Sequence, residues 1–254
     1  DLSEDEKNIL LDAPAAIRKK INRITYKPYF FKKNKKKSRE EIFYNIMQQC
    51  FFRTYSFLAK LLTPYSTKWE MGFTHFCGSE EKHIKNDNSL HFDMFDSHPA
   101  SGHRILRFCM NISNDKTFKW ETSQEFSHIL ENLVSEKELP FSIASSNSFI
   151  DALKLKLIKY FGLPLSYRTS YDVFLEKLCH YLSKSENFQK SAKTTTWYFP
   201  PNSCWVLFTD SIAHLPIYDD TVLAQTFFIP HSAMLDPKKA PISLVKEKEK
   251  LLNV

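Results

Sequence analysis

Glycine is scarce in this chain: Gly72, Gly78, Gly102 and Gly162 are the only four in 254 residues. None lies in a GxGxxG or a GxxxxGK[ST] pattern, so the backbone cradles for dinucleotides and nucleoside triphosphates are missing, and Rossmann and P-loop readings are set aside. Cysteine is equally uninformative as a frame. The five residues Cys50, Cys77, Cys109, Cys179 and Cys204 are scattered, odd in number and without a CxxC, which argues for reduced thiols in a cytosol rather than disulfides or a zinc ribbon. No GxSxG marks a hydrolase nucleophile. The apolar runs, such as Trp205 to Phe208 and Leu223 to Ile229, fall far short of a membrane span, and no signal-peptide pattern is read at the start. The chain opens at Asp1 rather than Met, which leaves room for an upstream segment.

What the chain has in quantity is aromatic and apolar residues: 22 Phe, 11 Tyr and 43% hydrophobic content, enough for one large core. One compact domain with an insertion is expected, rather than two domains. The net charge is +6, and much of the excess sits in one place. Between Arg18 and Arg39, 22 residues hold eleven Lys or Arg and no acid, interleaved with Tyr26, Tyr29, Phe30 and Phe31. A solvated linker is the bland reading. Aromatics among lysines also suit an anionic membrane surface or lipid phosphate, the preferred reading, with nucleic acid a less favoured rival. The expected division is a basic N-terminal segment, 1–37, and a single domain, 38–254.

Asp1 to Leu11 predicts a short helix stopping near Pro14. Ser38-Arg39-Glu40-Glu41 has the form of a capping box, and apolar residues recur at helical spacing from Ile42 to Leu62, predicting a long amphipathic helix that backs a sheet. Tyr65 to Asn88 looks irregular. His103 to Ile112 predicts a strand with Ile105, Arg107, Cys109 and Asn111 on one face, and Phe118 to Thr122 a second, shorter one. Residues 125–190 read as a helical insertion, with Ser148 to Tyr160 and Ser170 to Leu182 as its clearest helices. Thr194 to Phe199, Trp205 to Thr209 and Thr221 to Ile229 then read as strands, and the Lys-rich tail from Asp236 as a peripheral segment.

The stretch Ser89 to Phe95 carries the chemistry. If it is extended, His91 and Asp93 share a face while Phe92 points to the opposite layer. A third ligand has to come from afar, and His214, at the end of an apolar run, is the best candidate. Two His and one carboxylate with open positions suit a non-haem Fe(II) oxygenase. Two alternatives stay open on pattern alone: a local zinc site drawn from Asp96, His98 and His103 beside the HxD, and a structural role for His214 in the core. An Arg at position 107, sharing a face with Asn111, needs either a protein carboxylate or the carboxylate of a small molecule.

The blocks LHFDMFDSHPASGHRILRFCMNI, RTSYDVFL, FPPNSCWVLFTDSIAH and AQTFFIP, in this order, resemble the bacterial Kdo hydroxylase family over nearly the whole chain after the basic stretch. Its members are iron(II)- and 2-oxoglutarate-dependent dioxygenases acting on the 3-deoxy-D-manno-octulosonic acid (Kdo) of lipopolysaccharide. The resemblance implies a mainly β fold with helices: a double-stranded β-helix, or jelly-roll, core backed by helices. It implies iron held by His91, Asp93 and His214, with 2-oxoglutarate as cosubstrate and an ascorbate requirement left open.

Many dioxygenases of this kind anchor the far carboxylate of 2-oxoglutarate with an Arg shortly after the second His, but Thr221 to Ile229 offers only Gln225 and Thr226. Arg107 is therefore the preferred anchor, with Arg104 and Asn111 as further candidates. Arg168, Tyr171 and His98 are expected near the sugar acid, although the family pattern has an Arg at the position of His98 and an acid at that of Ala224. The implied reaction is hydroxylation of Kdo at C3 in Kdo-lipid A, on the cytoplasmic face of the bacterial inner membrane. The alternatives are an oxygenase for another anionic sugar or lipid, and a non-catalytic jelly-roll that binds glycolipid.

Overall fold

The computed structural model describes residues 2–14, 16–17, 23–25, 38–77, 89–93, 100–135, 157, 160, 169–216 and 222–252. Two antiparallel sheets enclose the interior. The larger has the order β1-β2-β8-β3-β6, with β1 Arg23–Thr25, β2 Glu70–Cys77, β3 Arg104–Asn111, β6 Cys204–Phe208 and β8 Val222–Ile229. The smaller has the order β5-β4-β7, with β4 Phe118–Glu125, β5 Thr195–Phe199 and β7 Ile212–Pro216.

Strand alternation gives the larger sheet two chemically different faces. Leu106, Phe108 and Met110 on β3, with Leu223 and Phe227 on β8, pack under the helix Arg39–Leu61. That helix follows α1 (Glu4–Leu11) and is α2 here; Ser38 caps it by accepting the Glu41 N–H at 3.2 Å. Phe43, Met47 and Leu58 are its most deeply buried side chains. At roughly 1.5–3 kcal/mol for each large apolar side chain fully buried, this contact outweighs any intrinsic helix preference of the segment. The opposite face of β3 and β8, with Cys109, Val222 and Ala224, meets Phe118 and Trp120 of the smaller sheet and closes the roll.

A second helical layer covers the other side. After the four-residue helix α3 (Thr63–Ser66), the helices α4 (Phe126–Ser135), α5 (Ser170–Lys184) and α7 (Pro241–Leu252) bury Ile129, Leu130, Leu175, Leu178 and Val245 in one cluster, with α6 (Glu186–Ser191) at the rim. Phe92 enters this cluster and meets Phe126 edge-on at 5.6 Å between ring centroids. The apolar residue between His91 and Asp93 is therefore the anchor of their segment.

Several expectations change. The stretch from Tyr65, read as irregular, holds β2, an interior strand paired with both β1 and β8. Its Gly72 stands at a register shift where a Cβ would come within 2.8 Å of the Thr226 carbonyl oxygen, so the close approach of the two backbones depends on glycine. The tail from Asp236, read as a peripheral segment, ends in the helix α7 with Val245 buried in the second cluster, and α5 is capped reciprocally by Thr169 and Asp172. Of the basic stretch, Arg23–Thr25 forms an edge strand, and the rest up to Lys37 lies outside the described residues. So does the expected helix at Ser148 to Tyr160, apart from Leu157 and Tyr160.

Candidate metal centre

His91 and His214 stand directly opposite each other in an isolated antiparallel bridge beside β7. They exchange both backbone hydrogen bonds, His91 N–H to the His214 oxygen at 3.1 Å and the reverse at 2.8 Å. Residues paired in this way carry their side chains on the same face, and the two imidazole centroids come within 4.8 Å. Two residues further on, the Asp93 N–H donates to the Thr209 carbonyl at 3.0 Å, which holds the carboxylate on the same side. One ligating atom from each of the three residues can be chosen so that all lie within 4.8 Å of one another. His214 Nε2 and Asp93 Oδ1 stand 3.7 Å apart.

The two rings are also in the right protonation pattern. His91 Nδ1 lies 2.9 Å from the Ser89 carbonyl, and His214 Nδ1 lies 3.1 Å from the Ile212 carbonyl. A carbonyl oxygen only accepts, so each Nδ1 carries a hydrogen, and in the neutral ring it is Nε2 that keeps the lone pair. Burial, opposed in part by the Asp93 charge, pushes the His214 imidazole down to about 4, so it is neutral at physiological pH. Burial also disfavours the charge on Asp93, but the Arg107 guanidinium and the two imidazoles prevail and hold its carboxyl well below the usual range. Two imidazole nitrogens and one carboxylate, without a thiolate, form the donor set that suits non-haem iron(II). Among the described residues the converging set is these three, and Cys179, whose thiol burial raises to about 12, is not part of it.

The residues expected around the cosubstrate are placed differently from one another. Arg107 points inward and donates from Nη1 to Asp93 Oδ2 at 2.7 Å, so the protein carboxylate is its partner. Arg104, on the other face of β3, pairs with Asp210 Oδ2 at 2.7 Å and Ser211 at 2.7 Å, and stacks over Phe208. Its expected role as a cosubstrate contact gives way to one of bracing the Thr209–Ser211 turn. Asn111 gives both amide hydrogens to the Lys116 and Phe199 carbonyls, each at 2.9 Å, and accepts from the Ser113 N–H, so it closes a turn and has no donor for a ligand. Gln225 is registered with Phe108 and Thr74 on the face toward α2, which strand alternation turns away from the metal ligands.

Thr226 is the exception. It is registered with Arg107 on the inward face, fully buried, and its hydroxyl has no hydrogen-bond partner. Tyr171 is buried in the helical layer beside the α5 cap, and burial together with the Asp210 charge raises its phenol well above the usual value. Arg168 and His98 lie outside the described residues, as does Asp96 of the local zinc alternative.

Two features escaped the sequence reading. The Trp120 ring stands edge-on to His214 at 5.2 Å between ring centroids, packing against the imidazole. The turn Thr209–Ser211 supports both ends of the site, because Thr209 receives the Asp93 N–H while Ile212, the next residue, receives His214 Nδ1. The TDS in WVLFTDSIAH was the available signal, an acid four residues before a His on a strand.

Comparison with known proteins adds the chemistry. The family model described as "3-deoxy-D-manno-oct-2-ulosonic acid (Kdo) hydroxylase" matches residues 1–251. No curated protein matches. Among solved structures, the Kdo hydroxylase KdoO, described as a non-heme Fe(II) alphaketoglutarate dependent dioxygenase, in complex with succinate and Fe(III), is 28% identical with a TM-score of 0.68, covering 87% of this chain and 72% of that one. The same protein in complex with alphaketoglutarate and Fe(III) matches at 26% identity and a TM-score of 0.67, over 86% and 72% of the two chains. With the family model spanning the sheets, the helical layers and all three ligand positions, the chain belongs to the Kdo hydroxylase family.

Proposed function

We propose that this chain hydroxylates Kdo, using iron(II) held by His91, Asp93 and His214 and 2-oxoglutarate as cosubstrate. The observation that carries the reading is the His91–His214 bridge: it joins two ligands 123 positions apart in sequence with their lone pairs free and a charged carboxylate beside them. Bound iron(II) with 2-oxoglutarate supplies the activation of O₂ that places one oxygen atom in a sugar C–H bond and the other in succinate, with CO₂ released.

The chain's own groups prepare that chemistry. The Ser89 and Ile212 carbonyls orient the two imidazoles, and Arg107 keeps Asp93 ionised. The aromatic wall of Phe118, Trp120, Phe199 and Trp205 keeps water from the interior. Thr226 offers a buried hydroxyl, on the same sheet face as Arg107, for a cosubstrate oxygen. In this reading the hydroxylated position is C3, the Kdo is that of Kdo-lipid A, and the protein works as a peripheral protein on the cytoplasmic face of an anionic membrane. The acid-free basic run between Arg18 and Arg39 supports the membrane contact.

The test is incubation of the purified chain with iron(II), 2-oxoglutarate and Kdo-lipid A. Succinate should form in step with one added oxygen on Kdo by mass spectrometry, and His91→Ala should abolish both. Succinate without an oxidised sugar would move the chemistry to another substrate. No succinate with any anionic glycolipid would remove the oxygenase reading.

A further inference from the structure

We propose that Arg107 is a positioning residue of the metal centre, holding one oxygen of Asp93 so that the other faces the imidazoles. The inference rests on the iron-site reading given above and extends it to a residue outside the ligand set.

The geometry closes on itself. Asp93 N–H is held by the Thr209 carbonyl, and Thr209 N–H by the Ile105 carbonyl, each at 3.0 Å. Arg107 stands two residues after Ile105 on β3, so strand alternation places its side chain on the inward face, at the height of Asp93. There Nη1 takes Oδ2 at 2.7 Å, while Oδ1 lies 3.7 Å from His214 Nε2. The carboxylate is thereby divided, one oxygen tied to the protein and one left for a metal. Both members of the pair are nearly buried, with side-chain exposures of 13% and 9%, where a charge-assisted hydrogen bond is strong and its rupture costly. Partners of metal ligands act through the ligand's orientation, and losing one lowers metal affinity before it alters substrate binding.

The experiment uses the full chain, freed of metal, with Arg107→Met and Arg107→Lys. Co(II) is titrated anaerobically and followed by its visible absorption, and 2-oxoglutarate is then titrated into metal-saturated protein. Arg107→Met should weaken Co(II) binding by roughly 10–100-fold, with Arg107→Lys recovering much of the loss and 2-oxoglutarate affinity at metal saturation changing by less than about threefold. Unchanged Co(II) affinity overturns the proposal, whether 2-oxoglutarate binding weakens, which makes Arg107 the anchor, or stays the same, which makes it purely structural. Should Arg107→Met lower the folded fraction by circular dichroism, Arg107→Gln takes its place in the same titrations. A wild-type chain that binds no Co(II) removes the iron-site reading and this proposal together. A wild-type chain that binds Co(II) and oxidises Kdo, beside an Arg107→Met protein that binds Co(II) equally well, removes this proposal alone.

Discussion

Phe92→Ala separates the anchoring of the metal centre from its ligands. The ring of Phe92 is 3% exposed, lies edge-on to Phe126 and belongs to the apolar cluster of α4, α5 and α7. Truncating a buried Phe to Ala costs about 3–5 kcal/mol, from lost transfer energy and the cavity left behind. For a domain of this size each kcal/mol lowers Tm by roughly 2–4 °C, so the variant should melt about 6–20 °C lower by differential scanning calorimetry. The residues on either side are His91 and Asp93, whose backbone bonds to His214 and Thr209 define the site. Metal affinity should therefore fall in the folded variant as well, although no ligand has changed. Phe92→Leu, which refills most of the volume, should recover most of both losses. A Phe92→Ala protein melting within about 2 °C of wild type, or one destabilised with unchanged Co(II) affinity, would refute the view that this ring ties the ligand segment to the helical layer.

Arg104→Met should destabilise by about 3–5 kcal/mol in urea unfolding by leaving Asp210 buried without its partner, and Arg104→Met/Asp210→Asn should recover part of that loss. The metal-free protein should lose stability as pH falls from about 6.5 to about 4, because the unfolded chain protonates His214 at a higher pH than the folded one. At 1.36 kcal/mol per pH unit the loss is roughly 3 kcal/mol, and His214→Asn should flatten the slope in pH-dependent unfolding curves. Below that window Asp93, held ionised in the fold, adds a further loss as its carboxyl protonates first in the unfolded chain. Replacing Lys32, Lys33, Lys35, Lys36 and Lys37 with Gln should weaken sedimentation with anionic vesicles while sparing turnover of detergent-dispersed substrate; equal loss of both would assign the lysines to folding.

The HxD was legible because its logic is local: in an extended segment residues two apart share a face, whatever the rest of the chain does. The same alternation put Arg107 on one face with Ile105, Cys109 and Asn111, and it would have turned Gln225 away from the metal had the register of Thr226 with Arg107 been known. Strand β2 was missed because Glu70-Met71-Gly72-Phe73-Thr74 has no hydrophobic alternation; what makes it a strand is backbone pairing on both sides, with glycine allowing the close approach. Strand β7 was missed for a related reason. Ile212–Pro216 is too short to announce itself and is held by β4 on one side and His91 on the other.

By itself, the sequence determined the ligand types, the face shared by His91 and Asp93, the amphipathic helix behind the sheet, and a family likeness strong enough to name the chemistry. Those properties depend on neighbours a few residues away. Only the tertiary structure decided that Arg107 answers to Asp93, that Asn111 closes a turn, that Arg104 braces the Thr209–Ser211 segment, and that His214 faces His91 across a single bridge. Each of these partnerships joins different strands or turns of the roll. Which carboxylate a guanidinium meets is fixed by register and closure between strands, and no local pattern records either.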